Sequence, residues 1–349
     1  MTAPVAALID GYDAALFDLD GVVYLGPAPV EGAAEGIAAL RRRQAKLGFV
    51  TNNAARTPAA VAAHLRDLSV PCDDDDVVTS AQAAAHLLAE RFGAGARVLV
   101  VGGEGVLAAL AERELVPVHS ADDDPVAVIQ GYSFDLTWAM LNEAAIAIQR
   151  GAHWVATNTD STRPTDRGIV PGNGAAVAAV ATAVTAVPEV AGKPFRPLID
   201  ETVLRLRAQH PVFVGDRIDT DIAGAGVVGM DSLFVLTGAH GPAELLAAPP
   251  GARPTHLGRD LRALLQPPRS VVAEDGRFFC GAATATADDG ALRLEVAAAS
   301  GPRSASDDGR DHDDQVDALW AAAHLAWRSA DESRPLDLAP TLAALAELA

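Results

Sequence analysis

Residues 14 to 26 read AALFDLDGVVYLG, an apolar run that ends on Asp18 and Asp20 with Gly21 directly after. In an extended chain, residues two apart point the same way, so the two carboxylates would share one small volume. Like charges held that close need either a cation between them or one carboxyl kept protonated as an acid. Alone, the pattern is also what a strand running into an ordinary Asp-Gly turn looks like. A second apolar run, VGDRIDTDI from Val214 to Ile222, delivers Asp216, Asp219 and Asp221. Three further carboxylates are too many for a plain turn, and beside the first pair they suit a hard, oxygen-ligated cation such as Mg²⁺. Asp219 is the ambiguous member, because a solvated position next to the others explains it equally well.

Two more motifs supply groups that hold phosphate. The TNN of Thr51, Asn52 and Asn53 closes another apolar run, where a hydroxyl and successive backbone N–H groups can cradle phosphoryl oxygens. Lys193 sits in GKP, a loop bounded by Gly and Pro rather than a polar helix face, from which an ammonium can reach a phosphoryl oxygen. A capping Asn and a solvated loop lysine are the ordinary readings of each motif taken singly.

The elements that must position these residues alternate. AALFDLD, KLGFVTNN, HPVFVGD, DSLFVLTG and THLG read as strands, with helical patterns over VEGAAEGIAALRRRQ and TPAAVAAHLRDL. That rhythm predicts a parallel sheet with helices on both faces, whose strand ends form the ligand crevice. RVLVVGG, AVIQGYS and HWVATNT read as a second α/β set within roughly residues 80 to 189, hence as one sheet interrupted by an inserted domain, with an unbroken tandem arrangement as the alternative the pattern leaves open.

Taken together and in this order, the four motifs resemble the haloacid dehalogenase superfamily of phosphohydrolases. More narrowly, residues 10 to 260 resemble the branch with a large α/β cap between the second and third motifs. That branch includes the phosphoglycolate, pyridoxal phosphate, glycerol 3-phosphate and 4-nitrophenyl phosphatases. The resemblance implies an α/β fold, a Rossmann-like doubly wound parallel sheet with an inserted α/β cap domain, to which this chain adds a small α+β C-terminal extension. The expected bounds are 1–79 and 190–266 for the core, 80–189 for the cap and 267–349 for the extension.

The resemblance also implies roles. Asp18 would attack phosphorus and become an aspartyl phosphate; Asp20 would protonate the leaving oxygen and then deprotonate the hydrolytic water. Asp18, the backbone carbonyl of Asp20 and Asp216 would hold Mg²⁺, with Asp221 supporting that shell. Thr51, Asn52, Asn53 and Lys193 would bind the phosphoryl group. The cap would read the leaving group through TNTDSTRPTDRGIVPGNG, residues 157 to 174, with Asn158, Asp160, Arg163 and Arg167 as candidates. This segment reads as a polar loop, and its PGNG as a helix start with outward-facing N–H groups. Similar chains usually continue GKP with a proline two residues on, where Arg196 stands here with Pro197 after it.

A formal charge of −19 over 349 residues argues against nucleic acid or an anionic membrane as partner. The expected partner is a small phosphorylated metabolite, glycerol 3-phosphate first, with phosphoglycolate and 4-nitrophenyl phosphate as alternatives; a homodimer is the candidate assembly. A sugar mutase would carry a small helical cap between the first two motifs, and about thirty residues leave little room for it. Cys72 and Cys280 are far apart and in no ligand-like spacing, which fits a reducing cytoplasm, and no signal peptide is evident. GIVPGNGAAVAAVATAVTAVP reads as a buried helix rather than a membrane span.

After residue 266 the rhythm changes. RFFCGAATAT and ALRLEVAAA flank a hairpin turn at Asp289 and Gly290. Residues 300 to 314 read as an acidic linker, and Val316, Leu319, Trp320, Ala323 and Trp327 form one apolar helix face that needs a partner surface. A regulatory or interaction module is the alternative reading of this extension.

Overall fold

Strand β1, Ala14–Phe17, is buried along its whole length. Its alternation sends Ala15 and Phe17 to one apolar cluster and Ala14 and Leu16 to another, as befits a strand covered by helices on both faces. The structure is a computed structural model and describes residues 6–165, 167–297 and 308–348. After β1 come a short ribbon (β2, Tyr24–Leu25; β3, Ala28–Pro29), α1 (Ala33–Arg42), β4 (Lys46–Thr51), α2 (Pro58–Asp67) and β5 (Val77–Thr79).

Helix α3 (Ser80–Phe92) leaves directly from β5 toward a second sheet. That sheet and its helices comprise β6 (Arg97–Val101), α4 (Glu104–Glu112), β7 (Val116–Val118), β8 (Ala127–Gln130), α5 (Trp138–Gln149) and β9 (His153–Ala156). A hairpin of β10 (Thr162–Thr165) and β11 (Gly168–Pro171), then α6 (Asn173–Ala181) and β12 (Glu189–Val190), complete it. The first sheet resumes with α7 (Arg196–Leu206), β13 (Pro211–Gly215), α8 (Ala223–Val228), β14 (Asp231–Val235), α9 (Pro242–Leu246) and β15 (His256–Gly258).

The first sheet is parallel throughout, in the order β15-β14-β13-β1-β4-β5. The chain passes from β1 to β4 on one side, whereas β13 lies on the other. The crevice beyond the carboxyl end of β1 is therefore the switch point where ligands bind in open α/β sheets. The inserted sheet is also parallel, β12-β9-β8-β6-β7. Its outer face packs on α5 and α6. On its inner face, Val98, Val100 and Ile129 share one apolar cluster with Ala81, Ala85 and Leu88 of α3 and with Leu198 and Ile199 of α7. Helix α3 is thus a wedge common to cap and core.

Strands β16 (Val272–Glu274), β17 (Arg277–Cys280), β18 (Ala283–Asp288) and β19 (Ala291–Val296) form an antiparallel meander, followed by α10 (Asp308–Asp331) and α11 (Ala339–Leu348). The β18–β19 turn has Asp289 and Gly290 at φ of 46° and 76°, the conformation a two-residue hairpin turn demands. The apolar face of α10 packs on this meander and on Leu245, Leu246 and Leu257 of the core, so the extension covers the β15 edge of the main sheet.

The structure differs from the sequence reading in four places, the first being the stretch read as one buried helix, which is strand β11 over Gly168–Pro171 and then helix α6 over Asn173–Ala181, buried only at Asn173, Val177 and Val180. Residues 308 to 314, expected in the linker, are helical, because a helix anchored by the buried face from Val316 onward propagates cheaply into polar residues; residues 300–307 of that stretch lie outside the described residues. Residues 162 to 171 form a hairpin rather than a loop, since Thr162, Thr165, Ile169 and Val170 are β-branched around a turn whose Gly168 takes φ of 129°. The Gly172 and Gly174 N–H groups at the start of α6 do not face outward but donate to Ser161 O (2.8 Å) and Asp160 O (2.9 Å). No helix among the described residues is long and apolar enough to cross a membrane.

Trp327 is buried and donates from Nε1 to Leu245 O at 2.9 Å, joining α10 to α9. Trp327→Ala is expected to cost about 3–5 kcal/mol of unfolding free energy, as deletion of a buried aromatic does. Denaturant unfolding followed by circular dichroism checks it.

Candidate active site

Asp18 is the first residue beyond β1, and its N–H donates to Val214 O of β13 at 2.9 Å, which fixes the carboxylate at the switch point. Gly21 turns the chain at φ of 90° and donates to Tyr24 O at 2.8 Å. A methyl group at Gly21, or at Gly238 across the crevice, would collide with the Asp216 carboxylate. Glycine is needed at both places for that carboxylate to fit. Gly215 gives the same clearance to Asp221. Ile218–Ile222 takes one wide π-type turn, which buries Asp221 and leaves Asp219 outside, paired with Arg217 at 2.8 Å and 3.1 Å.

Asp18, Asp216 and Asp221 offer one carboxylate oxygen each within 4.8 Å of one another, all three residues buried. Lys193 Nζ enters this group, 2.7 Å from Asp18 Oδ1 and 2.8 Å from Asp221 Oδ1. Burial pulls the lysine pKa down, but Asp18 and Asp221 outweigh it and hold the ammonium charged above its ordinary range. One cation does not balance three carboxylates. Burial, against the pull of Lys193 and with the push of Asp221 and Asp216, raises Asp18 well above the carboxylate range; burial and Asp221 bring Asp216 to about 6.

Asp216 Oδ2 accepts from Ala239 N at 2.6 Å, whereas its Oδ1 is buried without a hydrogen-bond partner. A buried carboxylate oxygen is not left orphaned without cost, and an all-oxygen donor set of this charge fits a hard divalent cation. Asp20 is elsewhere. Its carboxylate feels the charges of Lys193, Arg56, Arg163 and His64. It remains reachable by solvent but lies deep enough in the cleft that desolvation raises its pKa. Lys193 acts on both carboxylates of the opening motif, and Asp20 has Arg56, Arg163 and His64 about it in addition.

Thr51 ends β4, buried, and its Oγ1 accepts from Asn53 N at 3.0 Å; Asn53 Oδ1 in turn accepts from Ala55 N at 3.0 Å. Asn52 bonds to Lys193 and to the cap residues Asn158 and Asp160. Asn158 is buried. Asp160 is raised by burial, partly offset by the hydrogen bond from Asn52. The Arg163 guanidinium lies over the rings of Tyr132 (4.9 Å) and Phe134 (5.4 Å). Arg167 stands exposed at the hairpin turn, its N–H donating to Thr165 Oγ1 at 3.3 Å.

Family models match residues 15–115 as a haloacid dehalogenase-like hydrolase and residues 190–264 as HAD-hydrolase-like. The D-glycerol 3-phosphate phosphatase of Mycobacterium tuberculosis is 49% identical over 255 residues, 73% of this chain and 71% of that protein. This chain belongs to the haloacid dehalogenase-like hydrolase family.

Relatives in the family include an acid sugar phosphatase of Staphylococcus aureus, 36% identical over 65% of this chain and 87% of its own length. The crystal structure of glycerol phosphate phosphatase from Mycobacterium tuberculosis in complex with magnesium superposes with a TM-score of 0.80 at 40% identity, covering 95% of this chain and 94% of that one. A p-nitrophenyl phosphatase from Archaeoglobus fulgidus gives 0.67 at 25% identity, covering 73% and 98%. These relatives make the chain a phosphoric monoester hydrolase of the haloacid dehalogenase-like family. The mycobacterial structure extends over most of the chain, while the archaeal one stops short of a quarter of it.

Sequence reasoning missed Tyr24, Arg56 and His64, which touch or polarise Asp20. Nothing in their local pattern marks them; each reaches the site through the ribbon or through the loop and helix after β4.

Mg²⁺ is expected to raise the thermal unfolding midpoint of this chain through binding to the folded state. Asp216→Asn, read by the same fluorescence melt, is expected to lose most of that increment.

Proposed function

We propose that this chain hydrolyses small phosphate monoesters with Mg²⁺ through an aspartyl phosphate on Asp18, and that glycerol 3-phosphate is its preferred substrate. The observation that carries the reading is Lys193, buried between Asp18 and Asp221 in the cluster that also holds Asp216, whose Oδ1 has no partner. This gives the phosphoryl group a charged donor beside a set of oxygens that can take a cation. The glycerol phosphate phosphatase names of the mycobacterial protein and its crystal structure support the substrate.

Asp18 Oδ attacks phosphorus as the bond to the leaving oxygen breaks, and the Asp20 carboxyl gives its proton to that oxygen. Burial shifts its pKa upward, the direction that favours carrying that proton. Asp20, now a carboxylate, takes a proton from water as the water oxygen attacks phosphorus. The bond to Asp18 breaks, and inorganic phosphate leaves. Asp18, Asp216 and the Asp20 carbonyl, with Asp221 in support, would hold Mg²⁺, which would supply charge that keeps Asp18 ionised and offsets the phosphoryl oxygens. Lys193, Thr51, Asn53 and the N–H groups at the end of β4 hold those oxygens. On the cap, Arg163 is fixed over two rings within electrostatic reach of Asp20, where it meets the leaving group.

Broad specificity, including phosphoglycolate and 4-nitrophenyl phosphate, is the alternative, supported by the nitrophenyl phosphatase neighbours. We place the enzyme in the cytoplasm, acting on a soluble metabolite.

Phosphate release from a panel of small esters tests the reading. Turnover is expected with Mg²⁺ and not with a chelator, glycerol 3-phosphate should rank first, and Asp18→Asn should be silent. A panel led by 4-nitrophenyl phosphate would favour the broad alternative, and turnover by Asp18→Asn would remove the mechanism. Asp20→Asn separates the two roles of Asp20. Its loss of kcat/KM is expected to reach ~10²-fold or more for glycerol 3-phosphate, whose alkoxide needs a proton, and to be smaller for 4-nitrophenyl phosphate, whose leaving group does not.

A further inference from the structure

Asn52 makes more polar contacts across the site than any motif residue around it, and its side chain bonds the main chain of Lys193 and the cap rather than Thr51 or Asn53. Its Oδ1 accepts from Lys193 N at 2.8 Å. Its Nδ2 donates to Lys193 O at 3.1 Å and to the Asp160 carboxylate at 3.3 Å and 3.4 Å. Its carbonyl oxygen accepts from Ser80 Oγ and from Asn158 Nδ2, both at 2.7 Å. An amide has two N–H donors, and here one goes to Lys193 and the other to Asp160. Both lone pairs of the main-chain carbonyl are also taken. The side chain has no donor left for a substrate oxygen.

These partners have a common property. Ser80 is the first residue of α3, where the chain leaves the main sheet for the cap. Lys193 lies just past β12, where the chain returns. Asn158 and Asp160 belong to the segment between β9 and the β10–β11 hairpin, and Asn173 at the start of α6 braces that segment by donating from Nδ2 to Asn158 O at 2.8 Å. One side chain and one carbonyl thus tie both crossings between core and cap to the cap segment that faces the cleft. The packing is close. A methyl group at Gly192 would press on Asn52 Oδ1 and Thr157 O.

We propose that Asn52 is a positioning residue, a knot through which the seating of the 157–160 cap segment fixes the Lys193 loop and hence the ammonium between Asp18 and Asp221. It acts through Lys193 and does not touch the substrate with its side chain. When the cap segment is displaced, Asp160 and Asn158 leave Asn52, and the side chain that braces the Lys193 N–H and carbonyl loses its own support. The inference rests on the reading of Lys193 as the phosphoryl-site lysine.

The test exchanges donor and acceptor. Asn52→Asp places a carboxylate against Asp160 and is expected to lower kcat for glycerol 3-phosphate by ~10²-fold, the order of loss when a catalytic group is misplaced by an ångström, with KM changing far less. Adding Asp160→Asn restores a donor opposite the new carboxylate and is expected to recover about tenfold of that loss, as contacting pairs couple. If Asn52 instead donated to the phosphoryl group, the new carboxylate would repel substrate, KM would rise, and the second substitution would recover nothing. That result would overturn the proposal.

Hydrogen exchange on the substrate-free chain gives a reading independent of turnover. Asn52→Ala is expected to raise exchange together in residues 157 to 161, 190 to 195 and the first turn of α3, while β16 to β19 stay unchanged. Exchange raised only next to residue 52 would contradict the knot. Coupled exchange in a chain that hydrolyses no ester would instead uphold the knot and defeat the phosphatase assignment of Lys193. Should Asn52→Ala not fold, Asp160→Ala serves the same reading, since it removes one strand of the knot from a half-exposed position.

Discussion

Three carboxylates buried at one sheet's carboxyl edge, with a single lysine among them, set the terms for everything around them. Left to themselves, Asp18, Asp216 and Asp221 would repel one another in a medium that screens poorly. The chain meets part of that demand with Lys193 and leaves the rest open: one oxygen of Asp216 has no partner, and two of the carboxylates are pushed above their ordinary range. An arrangement so incompletely neutralised is unfavourable for stability alone. It is favourable for a site that receives a divalent cation and then a phosphoryl group.

The fold serves that demand in specific ways. Parallel strands bring Asp18 and Asp216 to neighbouring strand ends, in the register Phe17 opposite Val214. Glycines 21, 215 and 238 leave the carboxylates room that any side chain would occupy. The wide turn after β13 directs Asp221 inward and leaves Asp219 to Arg217. The cap does not hang from the core by two linkers alone. It shares an apolar cluster with the core through α3, and it meets the lysine loop at Asn52.

Much of this was legible in the sequence, because the residues concerned answer to local rules. The βα rhythm, the acidic strand ends, the lysine in its Gly/Pro loop and the Asp289-Gly290 turn all report themselves within a few neighbours. The direction of each carboxylate did not. The strand ends at Phe17 and the chain turns at Gly21, so strand alternation alone does not set where the Asp20 carboxylate goes; it feels Lys193, as Asp18 does, and also Arg56, Arg163 and His64. The 157–174 segment read as a polar loop because its β-branched residues are scattered among charges and turn formers. Nothing near Asn52 in the sequence announces the partners of its side chain, Lys193 and Asp160, which are over a hundred positions away in the chain.

The claim on which the account depends is that Asp18 carries the phosphoryl group covalently. The most direct measurement mixes Asp20→Asn, in which release by water is slowed, with an ester labelled at phosphorus, quenches in acid and maps the label by peptide. The account predicts hydroxylamine-sensitive label on the peptide containing Asp18, in step with the first turnover of leaving group. Stoichiometric release of the leaving group with no label on the protein would contradict it.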